Sequence, residues 1–377
     1  TKEEGKSLQR LEKIVKSAID NNKQPSPQEI LVLASYKGLN HYDWCNCLTV
    51  TDEIQEVFTR QIEEPKREQY LKSSIPTLEP ITENISLKVR AQYEKNPYPR
   101  WVNTSLFGNP AAISEVIRTM QLKIYEQKIL SVNAPDILVA GCGTGQNSTN
   151  TATRFKSSKV LAIDLSLSSL AYAQRKTEEH GITNIEYMQA DILNVGKLYK
   201  QFDIIESIGV LHHMDDPVTG WKVLVDCLKP GGLMAIGLYS ELARQSIVKI
   251  RAEINQLDIG SSDLEMKRFR DLMLGSNEKH HKIAMRWRDF YSLSELRDLL
   301  FHVQEHRFTI PQIKDSLHKL GLKFCGFTSS KIVSHFKLTN RHKDDPYNLD
   351  KWHLHEEANP STFNGMYEFW CQKIDRK

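Results

Sequence analysis

The sequence lacks any long apolar run, and no stretch approaches the roughly 20 consecutive apolar residues that span a bilayer. Its net charge is small, +3 over 377 residues, which argues against strong binding to nucleic acid or to an anionic membrane. It also lacks a charged and then apolar leader, so nothing in it indicates export. We therefore expect a cytoplasmic protein with no nucleic-acid or membrane partner.

Cysteines are also few, and the six that the chain has are scattered mostly through apolar runs. Such a distribution is typical of reduced, buried cysteines in a cytosolic protein. Cys45 and Cys47 could form half of a zinc site, but partner ligands at zinc-finger spacing are absent. The sequence therefore predicts no metal centre.

Length and periodicity predict two regions. Apolar residues at helical spacing, together with a helix start at Ser26–Glu29, make residues 1–85 an N-terminal helical region. We expect this region to pack without chemistry of its own. Residues 86–377 should form the second domain, in which a long helix over about 112–129 precedes the first strand.

Short apolar strands alternate with helices between about residues 136 and 239. This alternation predicts a mostly parallel sheet covered by helices on both faces, which is the doubly wound α/β class. Residues 242–318 then interrupt the pattern with charged, helical sequence, an insertion after the fifth strand that we expect to cap the substrate side. Two further strand candidates, 323–327 and 366–372, follow it.

Polar or glycine-rich segments follow the first three predicted strands. The first strand leads into Gly141, Gly143 and Gly145, where the missing Cβ atoms let a ligand approach the backbone. The next two strands end at Asp164, 21 residues after Gly143, and at Asp191. Ligands of open α/β sheets bind outside the carboxyl ends of the strands, so we expect one nucleotide site here. In it Asp164 would accept both ribose hydroxyls and Asp191 the adenine amino group.

A nicotinamide site is the natural rival of this interpretation. Its G-x-G-x-x-G fingerprint would need a glycine where this chain has Gln146, and the third glycine stands one residue earlier. The sequence also shows no obvious second nucleotide-binding half. These differences disfavour a dinucleotide.

The ordered motifs resemble those of class I S-adenosylmethionine-dependent methyltransferases. The resemblance covers roughly residues 130–240 and rests on Asp136–Gly145, Asp164, Asp191, Phe202–Met214 and Leu228–Gly232. It implies a seven-stranded Rossmann-like sheet and S-adenosyl-L-methionine as cofactor. The glycines would approach its methionine part, Asp164 would hold the ribose, and Asp191 with Ile192 the adenine. The full set of expected cofactor contacts is Tyr93, Arg100, Trp101, Gly141, Cys142, Gly143, Gly145, Gln146, Asp164, Leu165, Asp191, Ile192 and Ser207.

Two flanking segments, 89–101 and 352–370, resemble bacterial methyltransferases that are often fused to tetratricopeptide repeats. The repeats themselves are not evident in this sequence. In the class, the segment before the first strand commonly folds over the cofactor, so Tyr93, Tyr98 and Trp101 are expected to belong to a lid. The alternative is a proline-stiffened linker packed on the sheet.

The fourth strand ends in the run Gly209–Met214, which resembles the small-molecule branch of the class. The Asn- or Asp-Pro-Pro-aromatic motif of base-methylating enzymes is absent. Candidate catalytic residues are His212 and Tyr239, although His212 and His213 could instead be a hydrogen-bonded pair that shapes the loop. The favoured hypothesis is methyl transfer to an O or N acceptor of a small molecule. A protein side chain, for example lysine, is the second acceptor hypothesis, and a binding module without catalysis is the third.

Overall fold

The chain divides into two compact units, and the division falls after Ser74. The computed structural model describes residues 2–375, and of residue 2 only the backbone. Residue 1 and residues 376–377, at the outer ends of the predicted domains, lie outside the described part. The predicted boundary between residues 85 and 86 falls inside a helix, Asn84–Lys95, and so does not coincide with the division between the units.

The first unit is helical. Its α-helices are α1 (Lys2–Asp20), α2 (Pro27–Tyr36), α3 (Gln55–Phe58) and α4 (Glu64–Lys72). Helix α2 begins with a capping box, in which the Ser26 hydroxyl and the Glu29 carboxylate each accept the other residue's backbone N–H. A π-helical turn, Thr59–Glu63, joins α3 to α4. Apolar faces including Val15 and Ile30 pack into a core of their own.

The second unit is built on a seven-stranded sheet of order β3-β2-β1-β4-β5-β7-β6. Its strands are β1 (Asp136–Ala140), β2 (Lys159–Asp164), β3 (Ile185–Gln189), β4 (Phe202–Ile208), β5 (Leu228–Leu238), β6 (Leu322–Phe327) and β7 (Tyr367–Lys373). Neighbouring strands are parallel except where β7 pairs with β5 and with β6. The central strand β1 is buried on both faces, which explains its continuous apolar run from Ile137 to Ala140. The predicted doubly wound, mostly parallel α/β sheet is confirmed.

Twelve α-helices of the described chain belong to this unit. They are α5 (Asn84–Lys95), α6 (Ile113–Thr119), α7 (Gln146–Arg154), α8 (Leu167–Glu179), α9 (Pro217–Asp226), α10 (Gln245–Gln256), α11 (Asp263–Leu274), α12 (Lys279–Ala284), α13 (Leu293–Phe301), α14 (Ile310–Leu320), α15 (Ser330–Lys337) and α16 (Leu349–Ala358). None of the described helices combines the length and the apolar character needed to cross a bilayer.

Helices α10–α13 form a small helical layer with its own core, which includes Ile250, Phe269 and Leu296. We call this layer, residues 243–308, the cap. Helix α14 packs instead on the sheet, because Ile313 and Leu317 belong to the sheet's core. The predicted insertion, 242–318, therefore contains the cap and also most of a helix that returns to the sheet.

The long helix predicted over 112–129 is wrong, because α6 ends at Thr119. Gln121 takes a left-handed backbone conformation, with φ 54°, and the N–H of Leu122 donates to the carbonyl of Ile117. This arrangement closes the helix as glycine usually does at that position. The next residue, Lys123, donates its backbone N–H to Cys325 at the sheet edge, and a 3₁₀ turn, Gln127–Ser131, follows.

Candidate active site

The carboxyl ends of β1, β2 and β3 bring the predicted nucleotide-binding residues together. The side chain of Asp164, at the end of β2, accepts the backbone N–H of Gly143 at 2.8 Å and that of Ser166 at 2.9 Å. Burial raises its pKa, while the same backbone donors oppose the rise. At the end of β3, the buried Asp191 caps a 3₁₀ turn by accepting the N–H of Leu193 at 3.0 Å. Two carboxylates thus stand side by side at one edge of the sheet.

The glycines after β1 have different structural roles. Gly143 has φ 53°, and a Cβ there would lie 3.3 Å from the backbone oxygen of Tyr98. Gly145 has φ 87°, and a Cβ there would lie 2.5 Å from the Cβ of Ala173 on α8. The absence of a side chain at Gly145 therefore allows helix α8 to pack closely, and its expected contact with the cofactor stays a prediction.

One cavity of about 650 Å³ runs from these strand ends to the cap. The predicted residues that line it are Tyr93, Gly141, Cys142, Gly143, Gln146, Asp164, Leu165, Asp191, Ile192 and Tyr239. Its other wall comes from the cap and includes Arg244, Trp287, Asp289 and Asp298. The predicted residues Arg100, Trp101, Gly145, Ser207 and His212 are not among those that line it.

The segment 89–101, which we call the strap, runs from α5 over the glycine loop. The carbonyl of Pro99 accepts the Thr144 hydroxyl, and the Trp101 indole N–H donates to the Thr144 carbonyl at 3.0 Å. Trp101 is buried against Tyr172 and His180, with ring centroids 6.2 and 6.0 Å away. The Trp101 side chain therefore fixes the strap to the loop from outside the cavity.

Arg100 also lies outside the cavity, for a similar reason. Its guanidinium lies over the ring of Tyr172, 4.8 Å from the centroid. Tyr93 is the strap residue that reaches across the cavity, because its hydroxyl donates to Asp298 of the cap at 2.5 Å. The strap and the cap are thus joined directly above the strand ends.

The two histidines after β4 point in different directions. They lie on a 3₁₀ turn, Leu211–His213, in which successive side chains are about 120° apart. His212 is fully buried behind Tyr239, with ring centroids 3.9 Å apart, and does not line the cavity, contrary to its predicted catalytic placement. His213 does line the cavity, and its Nδ1 lies 2.7 Å from the Gln304 carbonyl.

His213 is therefore the one of these two histidines that faces the cavity. A donated hydrogen bond from Nδ1 to the carbonyl leaves Nε2 as the free acceptor. Burial lowers its pKa well below the usual range, so the ring is neutral at pH 7. His302 stacks on it with centroids 3.6 Å apart, which holds the ring in place.

Four charged residues at the cap end of the cavity were not predicted, and two of them, Arg244 and Asp298, are buried. Asp298 is buried on α13, and burial raises its pKa to about 6. The guanidinium of Arg244 lies 3.6 Å from the centre of the Tyr239 ring and bonds both carboxylate oxygens of Glu305. The only sequence signal for Asp298 is the charged pair Arg297–Asp298 between leucines at 296 and 299, which suggests charges that are partly buried and need partners.

A separate group of possible metal ligands lies within the cap. Ring nitrogens of His280 and His281 both contact the Glu253 carboxylate, the second at 2.7 Å. These contacts pair the Nε2 atoms of both histidines with the carboxylate, while the buried Nδ1 of His281 has no hydrogen-bond partner among the described residues. The absence of a metal centre stays a prediction.

Comparison with known proteins shows a family match for the strands that form this site. Residues 137–232 match a family model described as a methyltransferase domain. An uncharacterized protein of Synechococcus sp. is 32% identical over 209 residues, which cover 52% of this chain and 48% of that protein. The ubiquinone biosynthesis O-methyltransferase of Coxiella burnetii is 30% identical over 156 residues, 41% of this chain and 62% of the relative. The chain thus spans less than two thirds of the length of these curated relatives.

The solved structure of PKMT2 from Rickettsia typhi shares the fold. It superimposes with a TM-score of 0.51 at 17% identity, covering 74% of this chain and 56% of that one. Its complex with AdoHcy gives 0.50 at 18% identity, over 74% of this chain and 55% of that one. Together with the family match, the sheet order and the strand-end motifs show that this chain contains a methyltransferase domain of the class I, S-adenosylmethionine-dependent type.

Proposed function

We propose that the chain transfers a methyl group from S-adenosyl-L-methionine to an oxygen or nitrogen atom of a small molecule. The observation that carries this proposal is the single cavity that joins Asp164 and Asp191 at the strand ends to the cap. One end offers nucleotide-binding groups and the other offers proton-accepting groups. A cavity of about 650 Å³ is within the range of small-molecule sites.

The strand-end residues fit the cofactor. Each carboxylate oxygen of Asp164 accepts one backbone N–H and keeps capacity for a second hydrogen bond, which the two ribose hydroxyls would use. Asp191 and Ile192 would hold the adenine, and Gly141 with Gly143 would lie along the methionine part. The other cavity-lining contacts in this proposal are Tyr93, Cys142, Gln146 and Leu165.

The bound cofactor supplies an activated methyl group on a sulfonium. The protein's task is then to orient the acceptor in line with that group, to exclude water and to remove a proton. The strap and the cap, joined by Tyr93 and Asp298, would exclude water from above. His213 and Asp298 line the cavity and would accept a proton, and Tyr239, which also lines it, would orient the acceptor.

A small acceptor is favoured over a protein side chain because the cap contributes one wall of the same cavity. Trp287, Asp289 and Leu299 all line it, and together with strap residues they surround the space opposite the sheet. A protein side chain such as lysine is the competing acceptor, and it would have to enter between the strap and the cap.

The first prediction tests the cofactor site through Asp164→Ala. Losing a hydrogen bond to a charged group costs about 1.5–3 kcal/mol, so affinity for S-adenosylmethionine and for AdoHcy should fall roughly 10- to 100-fold. Isothermal titration measures both ligands on the wild type and the variant. Asp226→Ala removes an exposed carboxylate at the end of α9 and is the control. Unchanged affinity in Asp164→Ala, or no binding to the wild type, contradicts the proposal.

A further inference from the structure

At the cap end of the cavity, the arginines have ion-pair partners within the described chain and the aspartates do not. Each arginine that lines it already has a carboxylate partner. Arg244 bonds Glu305 at 2.8 Å, with both side chains almost fully buried, and Arg288 lies 3.2 Å from Glu295. The cavity's cations are therefore neutralised by the protein itself.

The two cavity-lining carboxylates of the cap have no such partner. Within the described chain, no lysine, arginine or histidine nitrogen lies within 4 Å of Asp289 or Asp298. Asp298 accepts a hydrogen bond from the neutral Tyr93 hydroxyl at 2.5 Å. Asp289, half-buried in a 3₁₀ turn, makes no side-chain hydrogen bond in the described structure. Buried and half-buried carboxylates without a cation are costly, so their persistence at a ligand site points to a cationic ligand.

The more distant charges around Asp298 do not remove this imbalance. Arg244, just before α10, and Arg251, on α10, act on it only at longer range, and both lie against Glu305. The negative charge of Glu305 repels that of Asp298. Asp298 in turn repels the neighbouring Asp289. The cap end thus keeps two carboxylates facing ligand space while its arginines are held by Glu305 and Glu295.

Aromatic rings complete this end of the cavity. Tyr98 of the strap and Trp287 of the cap both line it. A cation over the face of such a ring is attracted by the ring's quadrupole, and more strongly when it is desolvated. Tyr239 contributes its hydroxyl rather than its faces, because His212 packs against its ring at 3.9 Å and Arg244 lies over it at 3.6 Å.

We propose that the methyl acceptor is a basic amine, bound as its ammonium ion by Asp289 and Asp298 beside Tyr98 and Trp287. This inference rests on the proposed methyltransferase function and narrows it from oxygen or nitrogen to nitrogen. An N–H proton of the ammonium passes to the Asp298 carboxylate, which leaves a neutral amine and a neutral acid. The nitrogen lone pair then forms the bond to the methyl carbon as the carbon–sulfur bond breaks. The products are an N-methylammonium ion and the neutral thioether of AdoHcy.

The test uses the full chain saturated with AdoHcy and three probes of one size, phenethylamine, 2-phenylethanol and phenylacetate. Calorimetry at pH 7.5 should show phenethylamine binding at least about tenfold more tightly than the alcohol, with phenylacetate the weakest. With S-adenosylmethionine in place of AdoHcy, mass spectrometry should identify N-methylphenethylamine. Asp298→Asn and Asp289→Asn should each reduce the preference for the amine.

Asp271→Asn is the matched control, because it removes an exposed carboxylate of the cap that does not line the cavity. It should keep the amine preference. If the alcohol or the acid binds as well as the amine, if none of the probes binds, or if Asp298→Asn keeps the preference, the inference is overturned. AdoHcy binding to the wild type distinguishes failure of the proposed function from failure of this inference. If the wild type does not bind AdoHcy, the proposed function itself is overturned. If it binds AdoHcy but shows no preference for the amine, only the inference is overturned.

Discussion

Three histidines, His212, His213 and His302, are buried beside the cavity. Burial lowers the pKa of each, and that of His302 to about 4. In the unfolded chain a histidine titrates near 6.5. Below that pH the unfolded state therefore binds more protons than the folded one, so acid lowers the free energy of unfolding.

This difference predicts a pH-dependent effect of His302→Asn. The stability that depends on neutral His302 is fully present above pH 6.5 and is lost as pH falls toward 4, by about 3 kcal/mol. Asparagine can still accept the Gln304 N–H that the His302 Nδ1 accepts, but it cannot gain a proton. Urea unfolding at pH 7 and pH 4 should show a smaller acid loss in the variant. The exposed His318→Asn is the control, and equal losses in His302→Asn and wild type contradict the prediction.

The sequence could predict that residues next to a strand end belong to the site. It could not predict which residues of the cap reach the site. Asp164 and Asp191 follow apolar strands directly, so their place at one sheet edge follows from parallel pairing. His212 and His213 are adjacent, and only the 3₁₀ turn decides which of them lines the cavity. Asp298 comes from a helix whose position is set by the cap's own packing, which no local pattern reports.

The strap is the element in which the observed position of a residue, Trp101, differs most from the expected one. It was expected to be a lid, with Trp101 touching the cofactor, but the Trp101 ring is buried outside the cavity. Trp101→Ala should therefore lower the free energy of unfolding by about 3–5 kcal/mol, as for other buried aromatic residues. Its effect on AdoHcy affinity should be smaller than that of Asp164→Ala. Chemical unfolding and calorimetry measure the two quantities.

Tyr199→Ala is the control for this prediction, since Tyr199 is 95% exposed. It should change neither quantity. A Trp101→Ala variant of wild-type stability that binds AdoHcy poorly would instead place the indole at the cofactor. Whether residues 89–101 open and close with the ligand stays a prediction, which hydrogen exchange with and without AdoHcy can decide.

Element ends show the same limit on sequence reasoning. The start of α2 could be predicted, because Ser26 and Glu29 are the usual residues of a capping box. The end of α6 was not, because its left-handed closing residue is Gln121 rather than glycine. Tertiary bonds, such as that from Lys123 to the edge strand, stabilise an ending that local propensity does not favour.

At the scale of the whole molecule, every residue that lines the cavity lies between Ser86 and Met366, within the second compact unit. A fragment of residues 75–377 should therefore bind AdoHcy with the dissociation constant of the full chain. Calorimetry on the two proteins makes the comparison, with circular dichroism to verify that the fragment is folded. A folded fragment that binds much more weakly would show that residues 1–74 contribute to the site.

The place of β7 between β5 and β6 has a consequence for biosynthesis. β6 has no hydrogen-bonded neighbour in the described sheet other than β7, although it precedes β7 in the chain by some forty residues. While the ribosome synthesises α15 and α16, neither β6 nor the outer edge of β5 has a strand to pair with, because β7 has not yet been made. The nascent chain therefore carries two open sheet edges until residues 367–373 emerge, and this interval is when a chaperone would be needed most.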